Sequence, residues 1–118
     1  MPTTIDDLKL KVKDFCEERD WDQFHGPKDL AIGVSTEAAE LLEHFRFQSD
    51  EQALALLNEP HAREEIEDEL ADVLFFVLRF SQRFEVDLTK ALLRKIEKSG
   101  RKYPIQKAKG KNTKYTKL

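Results

Sequence analysis

Apolar residues return every three or four positions along almost all of this chain, and no stretch shows the two-residue alternation of a strand. That rhythm confines the fold to amphipathic helices. In the first segment Ile5, Leu8, Val12, Phe15 and Cys16 share one face, with Thr3 or Thr4 as N-cap, and this helix is expected to end near residue 20. Residues 20–28 read as a loop closed by Gly26-Pro27, with Pro27 suited to the first position of the next helix. A second helix over residues 28–47 carries the stripe Leu30, Val34, Leu41 and Phe45. Ser49 with Gln52 makes a capping-box pattern for a short helix through residue 57. Pro60 opens a long helix to about residue 84, with Ile66, Leu70, Val73, Leu74 and Val77 as its buried stripe. Asp87 caps a last helix that Gly100 is expected to stop. The expected fold is therefore an all-α bundle of four main helices plus a short one.

At 118 residues the chain is one domain by length. Its expected organisation is an all-α body over residues 1–100 and a basic C-terminal tail over 101–118, extended or partly disordered until something holds it. A bundle this short has little interior of its own, so its helices are expected to bury further apolar faces against a second copy.

Charge and cysteine content narrow the function. The net charge of −3 hides an uneven distribution, because residues 101–118 hold seven Lys and Arg and no acid. The rest of the chain then carries 13 basic residues against 23 acidic ones, a net of −10. An acidic body opposes non-specific nucleic-acid binding, which depends on neutralising phosphates, and suits a protein that gathers metal cations. The longest apolar run, residues 73–78, is far short of the about 20 needed to cross a membrane. The N-terminal residues lack the basic-then-apolar order of a signal peptide. The lone Cys16 can form neither an internal disulfide nor a Cys-rich metal site and reads as a small core residue, so a cytoplasmic location is expected.

Acidic pairs three residues apart lie on one helix face and can share a cation. Seven such pairs occur, at 14/17, 17/20, 37/40, 40/43, 64/67, 65/68 and 69/72, so spacing alone does not choose among them. Position around the helix raises 37/40 and 69/72 above the other five. At roughly 100° per residue, Glu69 and Asp72 border the apolar stripe of the long helix, with the aromatic Phe76 between them. Glu37 and Glu40 border the stripe of the second helix, sharing a face with His44 and Phe47, and Gly33 one turn earlier leaves room for a close approach. Two facing pairs of this kind would form an oxygen-rich cage for Mg²⁺. A ferritin-like di-iron site would need Glu-x-x-His on two helices, and no Glu-x-x-His occurs.

Glu37-Ala-Ala-Glu40 followed by Glu69-Leu-Ala-Asp72 resembles the ExxE…ExxD signature of the all-α NTP pyrophosphatases, the MazG-like superfamily. The stretch from Glu18 to His25 with Pro27, then Arg101-Lys-Tyr-Pro104 and Lys114-Tyr-Thr-Lys-Leu118, resembles the dCTP pyrophosphatase branch. The resemblance implies a Mg²⁺-dependent hydrolase that cleaves a nucleoside triphosphate between its α and β phosphates, with dCTP, giving dCMP and pyrophosphate, as the expected substrate. It implies Glu37, Glu40, Glu69 and Asp72 as metal ligands; the chemistry adds Glu40 and Glu37 as catalytic candidates, with Glu40 expected to be the base that receives a proton from water. It further implies Trp21, Asp22, Gln23, Phe24 and His25 as a substrate loop, Phe47 and Phe76 as borders of the base, and a homodimer or homotetramer in which Arg101 and Lys102 reach the triphosphate. Nucleic acid and membrane are not expected partners. The chain departs from the branch pattern at Val12, Asp29, Phe47, Phe76 and Ser99, where His, Asn, Trp, Tyr and Asn are usual. Those departures touch substrate choice rather than the metal site. Two alternatives stay open: the same reaction on another or modified nucleotide such as dUTP, and a non-enzymatic helical oligomer used as an interaction module. Taken singly, Trp21 and Phe24 could plug the end of the bundle, His25 could brace its loop, and His44 could be either a surface histidine or a phosphate contact.

Overall fold

The computed structural model describes residues 2–118. Six helices follow one another: α1 (Ile5–Glu18), α2 (Pro27–Phe45), α3 (Asp50–Leu56), α4 (Pro60–Arg83), α5 (Leu88–Lys102) and α6 (Ile105–Ala108). Short 3₁₀ turns stand at Asp22–Phe24 and Tyr115–Lys117, and the described residues form no strand. No helix among them is long and apolar enough to cross a membrane.

The helix starts follow local chemistry. Thr4 and Asp7 form a reciprocal capping box for α1, and Ser49 and Gln52 do the same for α3. Pro27 and Pro60 occupy the first positions of α2 and α4, where a missing N–H costs nothing. Two helix ends differ from the sequence reading. The second helix stops at Phe45 rather than 47, because Arg46 turns extended (φ −59°, ψ 135°) and Phe47 enters the left-handed region (φ 66°). The last helix runs past Gly100 to Lys102. Tyr103 stands before Pro104, which disfavours helical backbone at Tyr103, and that is where α5 ends.

The chain divides into two compact units, one ending at Glu85 and one spanning Val86–Leu118. In the first, α4 is the spine against which α2 and α1 pack. Its buried apolar side chains are Cys16, Leu30, Ile66 and Leu78, a thin core. Leu70 and Leu74, expected in the stripe of the long helix, are open to solvent at 52% and 41% exposure. The apolar surface of α4 is wider than the α1 and α2 that pack on it can cover. In the second unit Leu92, Leu93 and Ile96 of α5 are likewise exposed.

The segment 101–118 is not extended. It forms α6 and a 3₁₀ turn that carries Tyr115 back to Tyr103, ring centroids 5.9 Å apart, while Lys102 Nζ lies 4.7 Å from the Tyr115 ring. Aromatic and cation–π contacts thus hold a stretch that lacks helical periodicity.

Candidate active site

Helix α2 brings Glu37 and Glu40 to one face, and α4 brings Glu69 opposite them. One carboxylate oxygen from each lies within 4.8 Å of the others, with Glu40 exposed and the other two half-buried. Glu37 Oε2 and Glu69 Oε2 are buried and have no hydrogen-bond partner. Burial first, and then the neighbouring Glu40 carboxylate, push the carboxyls of Glu37 and Glu69 above their ordinary range. His44, one turn beyond Glu40, partly offsets this, its Nε2 being 3.6 Å from Glu69 Oε1. Asp72 is exposed and lies outside the triangle of three, although its charge acts on both Glu37 and Glu69.

Buried oxygens without donors, on crowded like charges, are costly unless a cation joins them. All the ligand atoms are hard oxygens, the donor set preferred by Mg²⁺ or Ca²⁺ over softer metals. These residues therefore fit a divalent cation.

Beside the cluster opens a pocket of about 500 Å³, within the size range of small-molecule sites. Phe15, Trp21, Phe75 and Phe76 form its aromatic walls, with Lys11 and Val12 from α1, and Glu37 and Asp72 reach its lining. The rings meet edge to face in sequence: His25 on Trp21 at 6.1 Å, Trp21 on Phe15 at 5.6 Å, Phe15 on Phe75 at 5.9 Å, and Phe75 on Phe76 at 5.5 Å. Phe76 lies flush against the backbone of Gly33. A Cβ at Gly33 would stand 2.5 Å from the ring's Cδ1. A large planar group can stack in such a pocket while an anionic group meets the cation site beside it.

The loop between α1 and α2 is tied down from below. Arg79 of α4 is fully buried. Its Nε donates to His25 Nδ1 at 2.8 Å, one terminal nitrogen donates to Gln82 Oε1 at 2.6 Å, and the other pairs with the Asp22 carboxylate. The guanidinium holds the Asp22 carboxyl below its ordinary range. Burial, followed by the Arg79 charge, lowers His25 from its ordinary 6.5 despite Asp22 and Asp29 nearby.

Of the expected substrate residues, Trp21 and Phe76 stand in the pocket wall, and Asp22 and His25 sit on Arg79. Gln23 turns back to donate to the carbonyl and carboxylate of Asp20, and Phe24 is 61% exposed. Phe47 does not share the helix face of Glu40, since α2 has already ended. It is 89% exposed, outside the pocket lining, with Arg46 over its ring. Arg101 and Lys102 belong to the second unit, where Arg101 pairs with Glu97 at 3.3 Å. Sequence reasoning assigned no site role to Lys11, Phe15, Phe75 or Arg79, and placed Phe15 only on the apolar face of the first helix. Only the pair Phe75-Phe76, two aromatics side by side on one helix, offered a local signal for any of them.

The profile of the MazG-like family matches residues 32–118. The dCTP pyrophosphatase 1 of Bos taurus is 35% identical over 115 residues, 98% of this chain and 68% of that protein. The Homo sapiens protein of the same name is 35% identical over 115 residues, with the same coverage of both chains. The crystal structure of a pyrophosphatase from Archaeoglobus fulgidus shares the fold at a TM-score of 0.78 and 37% identity, covering 84% of this chain and 91% of that one. With the family profile, the relatives matched along nearly the whole chain and the helical architecture all in agreement, the chain belongs to the MazG-like family, in the branch that holds the dCTP pyrophosphatases.

Proposed function

We propose that this protein is a Mg²⁺-dependent nucleoside triphosphate pyrophosphatase that converts dCTP to dCMP and pyrophosphate. The observation that carries this reading is the triangle of Glu37, Glu40 and Glu69 opening beside an aromatic pocket of about 500 Å³. The curated relatives named dCTP pyrophosphatase support the reaction and the base.

A triphosphate carries about four negative charges, and three bare carboxylates would repel it. Glu37, Glu40 and Glu69, with Asp72 beside them, would hold Mg²⁺, which when bound would supply positive charge to the phosphates and ease the ionisation of water. The remaining work belongs to the chain. Phe15, Trp21, Phe75 and Phe76 receive the base and exclude water from it, while Lys11 offers a cationic donor at the pocket lining. Glu40, the exposed member of the three, is the carboxylate that an attacking water can reach. That water adds to the α-phosphorus and gives its proton to Glu40. The bond from the α-phosphorus to the bridging oxygen breaks, and pyrophosphate leaves with the electron pair. Glu37, half-buried behind Glu40, holds the geometry of the site. Asp22 and His25 brace the loop above the pocket, with Gln23 and Phe24 at its outer side. The exposed leucines of α4 and α5 support assembly into a homodimer or homotetramer.

The test is pyrophosphate release from a panel of nucleotides with Mg²⁺, with EDTA, and in the Glu40→Ala variant. Release that peaks on dCTP, stops with EDTA and is lost in the variant is the expected result. A peak on dUTP or a modified nucleotide would keep the reaction and move the substrate. No release from any nucleotide by the folded protein would overturn the enzyme reading in favour of an interaction module.

A further inference from the structure

We propose that Arg79 is a positioning residue for the nucleotide: its buried guanidinium fixes His25 as the neutral Nε2–H tautomer, so that the loop presents an uncharged hydrogen-bond donor to the substrate. This rests on the reading of residues 20–28 as a substrate loop.

Arginine has donors only, so a hydrogen bond between Arg79 Nε and His25 Nδ1 has one possible direction. The guanidinium donates and Nδ1 accepts with its lone pair. A proton on Nδ1 would set two donors against each other at 2.8 Å. The ring's remaining proton must then reside on Nε2. Protonating the ring fully would also place a second cation against Arg79, which is 0% exposed. The charged groups around the imidazole are Arg79 and Arg83 of α4 with Asp22 and Asp29 of its own segment, and burial adds to the arginines in favouring the neutral ring.

The guanidinium is itself fully committed. Its other two nitrogens hold Asp22 and Gln82, so it cannot swing away to follow another partner without leaving three groups unpaired. Asp22 and His25 bracket the 3₁₀ turn, and Trp21, directly before it, stands in the pocket wall. One buried side chain thus sets the ring state of His25 and the seating of the wall residue. A neutral donor is useful beside the site because it can bond a carbonyl or phosphate oxygen while the ring keeps the same charge near neutral pH.

The test is the ring-nitrogen NMR spectrum of the full chain at pH 7 without nucleotide, with His25 assigned by comparison with His25→Gln. The expected result is an Nε2–H ring with a bare Nδ1. An Nδ1–H ring, or an averaged mixture of tautomers, overturns the proposal, and this reading needs no variant at position 79. Arg79→Met removes every donor while keeping an unbranched side chain, and is expected to release the tautomer. It should also raise KM for the nucleotide about tenfold while kcat stays within about threefold. An unchanged tautomer in Arg79→Met overturns the proposal. A released tautomer with an unmoved KM upholds the hold of Arg79 on His25 and overturns the loop's part in substrate binding. If no nucleotide is cleaved at all, the proposed function fails while the ring-nitrogen spectrum still reports on Arg79.

Discussion

Exchange of Glu37 for glutamine is expected to lower Mg²⁺-dependent turnover about a thousandfold and, in the same protein, to raise the Tm of the metal-free form at pH 7. The first effect follows from the size of metal stabilisation, where roughly 4 kcal/mol corresponds to about three powers of ten in rate. The second follows from crowding. Glu37 and Glu69 each keep a buried oxygen without a partner and lie within reach of Glu40. Their carboxyls are raised above the ordinary 4.5, burial being the largest cause. A raised value means that the folded state binds the proton more tightly than the unfolded state does. The resulting stability is complete below pH 4.5 and is lost as the pH climbs through the raised folded values. Metal-free protein should therefore lose stability as the pH rises above 4.5 towards neutrality, and Glu37→Gln should flatten that decline. Adding Mg²⁺ at a hundredfold excess over Kd is expected to contribute about 2.7 kcal/mol, roughly a 10 °C rise in Tm for a domain of this size. Thermal melts of both proteins across pH, with Mg²⁺ and with EDTA, check all of this. A Tm in the wild type that ignores Mg²⁺ would remove the metal from the site.

The second large effect is expected at Gly33. Alanine there places a Cβ 2.5 Å from Phe76 Cδ1 and 2.8 Å from its Cγ. The clashing atoms belong to a stiff ring packed against Phe75, not to the free end of a flexible chain. Overpacking of this sort costs about 1–3 kcal/mol. Alanine also improves an interior helix position by roughly 1 kcal/mol, so the net loss should be about 1 kcal/mol. The KM for nucleotide should rise with it, because the displaced ring lines the pocket. A double-mutant cycle separates the two contributions. Once Phe76→Ala has removed the ring, Gly33→Ala should become stabilising by up to about 1 kcal/mol. If Gly33→Ala already stabilises the wild type, Phe76 moves freely and the seat described here is not rigid.

What the sequence disclosed depended on how local the cause was. Helical periodicity, the capping boxes at Thr4 and Ser49, and prolines at the first helix positions act within four residues, and those elements were legible. So was the facing of Glu37, Glu40 and Glu69, because a 3.6-residue turn places i and i+3 together and an apolar stripe orients them. Arg79 was hidden. At roughly 100° per residue it lies about 180° from Leu70, on what periodicity marks as the solvent side. It is buried by a loop more than fifty positions away in the chain. Phe47 was misplaced on the helix face because α2 ends two residues early, and no glycine or proline marks that end. Leu70 and Leu74 look like core in any single-helix view, and only the limited width of the neighbouring helices leaves them uncovered.

The chain holds a single tryptophan, and Trp21 stands in the pocket wall with its ring edge-on to Phe15 and His25. Every photon of indole emission from this protein therefore comes from one side of the cavity. Where other enzymes need a reporter dye or a coupled assay to follow filling of the site, this one carries its own optical gauge. A nucleobase stacked near that indole would dim it, and a metal entering the carboxylates alone would leave it bright, so the two occupancies can be read apart in one cuvette.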